Sequence, residues 1–317
     1  MVYAEPMLTR QWWKAIVSLS PALVIAALGV SCEDQGKYQG SISKVHDATA
    51  VVIASAKATY VGLNKAERDH YVELQLAQRK PIDPDELARV QVLDTHETAS
   101  RISSLDVLAK YSDLLVQLAA TQTPASVQSK TTDLQQSLAT LSGDVDKLAG
   151  TNSAQFQART KSVLPLLGTA LQAFVNAKTV AALKKATVDA MKPVNDFIGA
   201  LEADMRLAHA RERNFLSGRR SEAYVHYRAD LEAKADGTKL RSDADSILLL
   251  ESQWETFESV SSIAGLEAMK QAYDALVEFV RKPKPSGADY NTLLGAVDSF
   301  VNTARQVGLA VQTFAAK

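Results

Sequence analysis

Apolar residues recur every three or four positions along most of this 317-residue chain, which is the spacing of one face of an α-helix. The clearest stripe consists of Ile102, Leu105, Leu108, Tyr111, Leu115 and Leu118. A second stripe has heptad spacing and consists of Leu134, Leu138, Leu141, Val145 and Leu148. About two heptads are too few for a free coiled coil, so this stripe predicts a helix packed in a bundle. No alternating stretch is long enough to predict a strand.

Proline and glycine breaks divide the pattern into long helices. Asp83 is placed to cap a helix with Pro84 at its first position, and Gly237 is expected to end the longest helix. The first expected helices run from about Ser43 to Gln78 and from Pro84 to about Ala120, and another helix starts at Ser153. The remaining expected helices run from Thr179 to Ala235 with a bend at Pro193, from Asp243 to Val260, from Gly265 to Arg281 and from Ala288 to Phe314. The sequence therefore predicts an all-α protein, an elongated bundle of long antiparallel helices with short breaks. The loops near residues 124 and 283 are candidate subdomain seams.

One stretch of the helical region, Ser162–Ala177, carries no charge and includes Pro165. One interpretation is a membrane-inserting hairpin tip of the kind found in helical pore-forming toxins, which would make this a membrane-perturbing protein. Gln172 and Asn176 are unfavourable in lipid, so the composition favours a buried helix kinked at the proline.

The amino-terminal segment has a different character from the helical region. Arg10 and Lys14 precede seventeen uncharged residues, Ala15–Ser31, and the only cysteine of the chain, Cys32, follows them. A short apolar run behind a positive end and before small residues is typical of an export signal. An uncleaved anchor, or a free thiol at Cys32 after ordinary signal cleavage, are the alternatives.

The residues around Cys32 add a more specific indication. Leu28-Gly29-Val30-Ser31-Cys32 resembles the lipobox of bacterial lipoproteins, although Gly29 stands where that family favours leucine. The resemblance implies removal of residues 1–31, attachment of fatty acids such as palmitate to Cys32, and a lipid-anchored protein facing the periplasm or the exterior. Residues 32–43 are then expected to be a polar tether, and residues 44–317 a helical bundle domain.

Composition excludes several functional classes. The net charge is −1, so no basic field favours nucleic acid. Glycine-rich phosphate loops, serine nucleophile motifs and haem motifs are absent, so no catalytic residue, no enzymatic activity and no cofactor are predicted. One metal-site alternative remains at Glu67, His70 and Glu73, because Glu-x-x-His and His-x-x-Glu place these side chains on one helix face. His-x-x-Glu also occurs in imelysin-like helical envelope proteins.

The strongest electrostatic feature is the segment Arg206–Arg228. It contains two glutamates, no lysine and six arginines: Arg206, Arg211, Arg213, Arg219, Arg220 and Arg228. Arginine binds carboxylates and phosphates in a planar, bidentate manner, so an anionic partner is one interpretation: a lipid headgroup, an envelope polymer or an acidic protein surface. The alternative is a set of ion pairs with neighbouring helices. Together these features predict a membrane-anchored envelope lipoprotein with a binding or scaffolding role.

Overall fold

The computed structural model describes residues 32–120, 124–149, 153–177, 179–259 and 261–315, and their regular structure is entirely helical. This confirms the all-α bundle. The helices are α1 (Cys32–Ala77), α2 (Pro84–Arg89), α3 (Thr95–Ala119), α4 (Pro124–Asp146), α5 (Ala154–Asn176), α6 (Val180–Glu232), α7 (Gly237–Ser259), α8 (Ser262–Arg281) and α9 (Gly287–Ala315).

The helices form a closed ring of packed neighbours. In order around the ring, α1 packs on α3, α3 on α4, α4 on α5, α5 on α6, α6 on α8, α8 on α9, and α9 returns to α1. The remaining long helix, α7, packs mainly along α6. One continuous hydrophobic core runs through the ring. The 53 residues of α6 correspond to a rod of roughly 80 Å at 1.5 Å per residue, so the bundle is elongated.

Both apolar stripes predicted from the sequence face this core. Leu105, Leu108, Tyr111 and Leu115 on α3 are buried, while the two ends of that stripe are partly buried. All five residues of the heptad stripe are buried, four of them on α4 and Leu148 in the turn that follows it. The uncharged stretch is part of α5 and buries Val163, Leu167, Leu171 and Phe174. It is thus a bundle helix that contains Pro165, as its composition favours.

The backbone of the predicted tether, residues 32–43, is helical, because α1 already begins at Cys32 rather than near Ser43. Ser41 and Ile42 are buried, so packing against the bundle outweighs the low helix propensity of the glycines in this stretch. Residues 1–31, where the export signal is predicted, lie outside the described residues. Among the residues that are described, no helix is long and apolar enough to cross a membrane.

The helix predicted from Pro84 to Ala120 is also interrupted. Asp83 caps α2 as expected, but the chain leaves the helix after Arg89 and starts again at Thr95. The side chain of Asn64 on α1 explains the break. Its carbonyl accepts hydrogen bonds from the backbone N–H groups of Val92 and Leu93, and its amide donates to the Leu93 carbonyl. These hydrogen bonds satisfy backbone N–H and C=O groups of the extended segment, as helical hydrogen bonds would.

The end of α6 differs from the prediction for a physical reason. Gly237 does not terminate the helix, since Lys234 adopts the left-handed conformation with φ of 54° and ends α6. Asp236 instead accepts a hydrogen bond from the backbone N–H of Lys239 and caps the following helix. Gly237 is then the first residue of α7.

A buried polar network ties four parts of the bundle together. Arg101 on α3 donates from Nε and Nη2 to the two carboxylate oxygens of Asp204 on α6, at 2.8 and 2.9 Å. The Tyr60 hydroxyl on α1 donates to the same carboxylate at 2.8 Å. Ser153, just before α5, accepts a hydrogen bond from Arg101 and donates to Glu97 at 2.6 Å. All five residues are buried, so these groups replace water for one another.

Two aromatic rings enclose the guanidinium of this network. Its central carbon lies 4.7 Å from the ring centroid of Phe156 and 5.7 Å from that of Tyr60. Burial and the adjacent Asp204 carboxylate hold the pKa of the Tyr60 hydroxyl well above its ordinary value, so it remains a donor. The apolar pattern did not predict this network, because Arg101 and Asp204 lie far apart in the chain.

We expect Arg101→Met to lower the free energy of unfolding by about 3–5 kcal/mol, because it leaves the Asp204 carboxylate buried without its cation. Arg281→Met is the matched control, since the ion pair of Arg281 with Glu278 is exposed and should cost about 1 kcal/mol or less. Urea unfolding followed by circular dichroism measures both. Equal losses in the two variants would show that the network contributes no more than a surface pair.

Candidate functional site

The outer ends of α6 and α7 form a helical hairpin that leaves the bundle core. No residue between Leu216 and Leu250 is buried, although the whole segment is described. We call residues 217–249 the arm. Its α6 part, residues 217–232, extends for about 24 Å at the rise of an α-helix. The arm is therefore a two-helix projection without a core of its own.

The base of the arm is held by arginines of α6 and glutamates of α7. Arg220 donates to both carboxylate oxygens of Glu251, and Arg213 donates to Glu258 at 2.9 Å. Both guanidinium groups lie over the ring of Trp254, at 4.6 and 5.7 Å from its centroid. The residue numbers in each ion pair add to 471, which defines the antiparallel register of the two helices.

Helix α1 covers one side of this hairpin as far as its own end. Arg219 of α6 pairs with Glu73 of α1, and the rings of His70 and Phe215 are nearly perpendicular at a centroid distance of 5.4 Å. From the His70–Phe215 contact to the Glu73–Arg219 contact the residue numbers increase along both helices, so α1 and α6 run parallel. Because α1 ends at Ala77, the arm continues past it without a third helix.

The predicted arginine segment divides into two groups. Four arginines make ion pairs inside the chain: Arg206 with Glu202 and Glu267, Arg213 with Glu258, Arg219 with Glu73 and Arg220 with Glu251. Arg211 and Arg228 are exposed and make no ion pair with any described residue. Most of the segment thus braces helices against one another, and two arginines remain free for a partner.

The residues of the metal-site alternative have other roles in the structure. Glu73 pairs with Arg219, and His70 packs against Phe215. In the described part of the chain, no group of three or more histidine, cysteine, aspartate or glutamate side chains is placed to hold a metal ion. Glu67 lies on the same helix, partly buried and without an ion pair to a described residue.

The arm also exposes large apolar side chains. The most exposed are Tyr224 at 42%, Val225 at 63% and Leu231 at 51% on α6, with Leu248 at 65% and Leu249 at 45% on α7. Exposed apolar groups scattered singly are ordinary, but their concentration on one projection is typical of an interaction surface. The signal was present in the sequence as apolar residues beyond the core-facing stripe.

An unpaired carboxylate lies at the root of the arm. Glu212 is one helical turn from buried Ala208 and one turn from buried Leu216, so it faces inward between them. It makes no hydrogen bond or ion pair with a described residue, and burial raises its pKa from 4.5 to about 7. Its apolar neighbours at i−4 and i+4 are the sequence signal that could have revealed it.

Comparisons of the chain with protein-family models, with curated proteins and with solved structures found no match. The functional interpretation therefore depends on the residues of this chain alone.

We expect Glu212 to make a contribution to the stability of the wild-type protein that falls as the pH rises from about 4.5 to 7. Over this range the folded state binds a proton at Glu212 that the unfolded state has released, so raising the pH favours unfolding. Glu212→Gln should match the wild type near pH 4 and exceed it above pH 7 by about 1–3 kcal/mol, a range reduced for partial solvent exposure.

Thermal or urea unfolding at several pH values measures this difference. Glu222→Gln is the control, because Glu222 is exposed on the same helix without an ion pair to a described residue and should leave the pH dependence unchanged. If the Glu212→Gln variant kept the pH dependence of the wild type, this would show that the Glu212 carboxylate is exposed to water in the folded protein.

Proposed function

We propose that this protein is a membrane-anchored cell-envelope protein, tethered by lipid on Cys32, whose helical bundle binds or scaffolds a partner through the arm. The observation that carries the proposal is the arm itself: a braced two-helix projection with no buried residue, several exposed large apolar side chains and the exposed Arg228, which makes no ion pair with a described residue. Mixed apolar and arginine side chains are enriched at the energetic centres of protein interfaces.

The bracing of the arm supports a binding role over a purely flexible one. Arg219 and Arg220 fix α6 to α1 and α7 at the base, on side chains that are largely shielded from water. A surface held in place before binding loses less conformational freedom when the partner arrives. Arg228 lies eight residues beyond Arg220 on the exposed part of the same helix, where it is available to an acidic group.

The anchoring part of the proposal is supported by the sequence pattern that ends at Cys32. A positive end, an uncharged run and a lone cysteine after small residues fit a lipoprotein signal, and several acyl chains on one cysteine give firm attachment. The bundle would then face the periplasm or the exterior. The free arginines favour a partner with acidic groups: an envelope protein, an anionic polymer or an anionic lipid. The proposal includes no enzymatic reaction.

We expect two double variants to separate binding from bracing. Arg211→Ala with Arg228→Ala should leave the melting temperature unchanged and reduce recovery of partners cross-linked to the protein in its envelope. Arg219→Ala with Arg220→Ala should lower the melting temperature by several degrees, because two partly shielded ion pairs and their ring contacts are lost. Quantitative mass spectrometry of the cross-linked material and a thermal melt are the measurements.

The salt dependence of recovery provides the internal control for this comparison. Exposed arginines act through charges that are screened over about 8 Å at physiological ionic strength, so recovery by the wild type should fall as salt is raised. If the Arg211 and Arg228 variant recovers partners as the wild type does, the free arginines are not the binding surface.

The anchor has its own test. Cys32→Ser should leave the precursor uncut and without incorporated fatty acid, because the cysteine provides both the acylated sulphur and the residue at the cleavage point in lipoproteins. Radiolabelled palmitate and the mass of the mature chain measure the two effects, with Ser31→Ala as the neighbouring control that keeps the cysteine. Processing of the Cys32→Ser variant to wild-type size would contradict the lipid anchor.

A further inference from the structure

The end of the bundle at which α1 starts also holds the connection from α8 to α9. Lys44 on α1 pairs with Asp298 on α9, 254 residues later, and Gly308 lies against Val51. Residue numbers increase together along both helices, so α9 runs parallel to α1. The same register places the first turn of α9 level with the first turn of α1. The α8–α9 connection, which precedes that turn, therefore lies at the level of Cys32.

Two further connections lie at the same end. Helix α3 runs antiparallel to α1, because Lys57 pairs with Asp106 while Nδ1 of His46 lies 3.2 Å from the Ser112 hydroxyl. The connection from α3 to α4 is therefore at the end where α1 starts. Since α6 runs parallel to α1, the connection from α5 to α6 is there too.

The connections at this end are basic, and those at the opposite end are not. The three connections at the start of α1 are residues 120–123, 177–179 and 282–286. Together they contain three lysines and no acidic residue. The connections at the opposite end, with α2 included, are residues 78–94, 147–153 and 260–261. Together they contain four lysines and arginines and four aspartates and glutamates. The basic end is thus the one that carries Cys32.

Helices α6 and α8 add further cations to the α8–α9 connection. Lys184 of α6 donates to the backbone carbonyl of Lys282 at 3.3 Å, which joins the two elements. We call Lys184, Lys185, Arg281, Lys282 and Lys284 the basal surface. Lys184 and Lys284 make no ion pair with a described residue. The other three cations pair with three carboxylates, those of Asp189, Glu278 and Asp289. Five cations and three anions leave a net charge of +2.

The α8–α9 connection is held in place by its own residues. Pro283 and Pro285 each fix a φ angle. The backbone N–H and the hydroxyl of Ser286 donate to the Asp289 carboxylate at 2.8 and 2.7 Å, which fixes the start of α9. A surface that is ordered before contact loses less conformational freedom when it binds.

We propose that the basal surface contacts anionic lipid headgroups of the bilayer that holds the anchor, so that the long axis of the bundle points away from the membrane. This inference rests on the lipid anchor of the proposed function and adds a second point of attachment to it. Lysines and arginines near an anionic bilayer are attracted to it, over a distance of about 8 Å at physiological ionic strength. An acyl anchor combined with a basic surface attaches more firmly than either does alone.

The start of α1 does not cancel the charge of the basal surface. Glu33, Asp34 and Lys37 follow Cys32 in sequence and sum to −1. The basal surface lies on α6, on α8 and on the connection after α8, and α9 separates α8 from α1 in the ring. Packed helices are about 8–10 Å apart, which is about the screening length. The bilayer would therefore attract the basal surface independently of the acidic residues beside the anchor.

The test uses the full chain, purified from membranes in detergent and reconstituted with vesicles of phosphatidylcholine, alone or mixed with phosphatidylglycerol. Flotation measures attachment, and limited lysine acetylation followed by mass spectrometry measures contact. We expect flotation with both vesicles through the anchor. Acetylation of Lys284 should be slower on the anionic vesicles by about threefold or more, and high salt should restore it. Lys65 is the internal control, because it is 76% exposed towards the arm end of α1 and should react equally on both.

A pair of charge reversals identifies the surface responsible. Lys184→Glu with Lys284→Glu changes the basal surface and its counter-ions from +2 to −2 without breaking an ion pair to a described residue. It should abolish the protection of Lys282 on anionic vesicles. Lys65→Glu with Lys80→Glu is the matched control, because it changes the net charge equally towards the opposite end and should keep the protection. Thermal melts establish that both variants are folded.

The outcomes separate the basal surface from the anchor. If the chain floats with both vesicles but Lys284 reacts equally on both, the anchor stands and the basal surface is overturned. Equal loss of Lys282 protection in the two double variants would overturn it as well. Flotation with the anionic vesicles alone would contradict the anchor. In that case the basal surface is supported if the Lys184 and Lys284 variant no longer floats, and overturned if it does. Flotation with neither vesicle would contradict both.

Discussion

The bundle depends on one buried charge pair. Arg101 and Asp204 lie on different helices, and their contact brings α3 and α6 together at the level where α1 and α5 also meet them. A charge removed from water is tolerated only with a partner and a full set of hydrogen bonds, and Tyr60, Ser153 and the enclosing rings provide these. The network therefore selects one arrangement of helices among the many that apolar stripes alone would allow.

The sequence predicted the helical class and most helix faces because a 3.6-residue period is a local property. Leu108 and Leu141 could be assigned to the core from their neighbours alone. The break between α2 and α3 could not, since Asn64 produces it from 28 residues away. The left-handed residue at the end of α6 is Lys234 rather than the expected glycine, and Asp236 caps the helix that follows.

The candidate site was located by its arginines, but its form depends on contacts that no local pattern contains. Arg219 and Arg220 are adjacent in the chain, yet they brace different helices, α1 and α7. Which arginines remain free follows from where Glu73 and Glu251 fall after folding. The apolar residues of the arm were visible in the sequence, but their exposure follows from the absence of a third helix beyond Ala77.

The parallel course of α1 and α6 also determines where the arm stands relative to the start of the described chain. Helix α1 begins at Cys32 and runs towards the arm for 46 residues, a distance of roughly 70 Å. With lipid on Cys32, the arm would lie at the end of the molecule that is farthest from the bilayer and would point away from it.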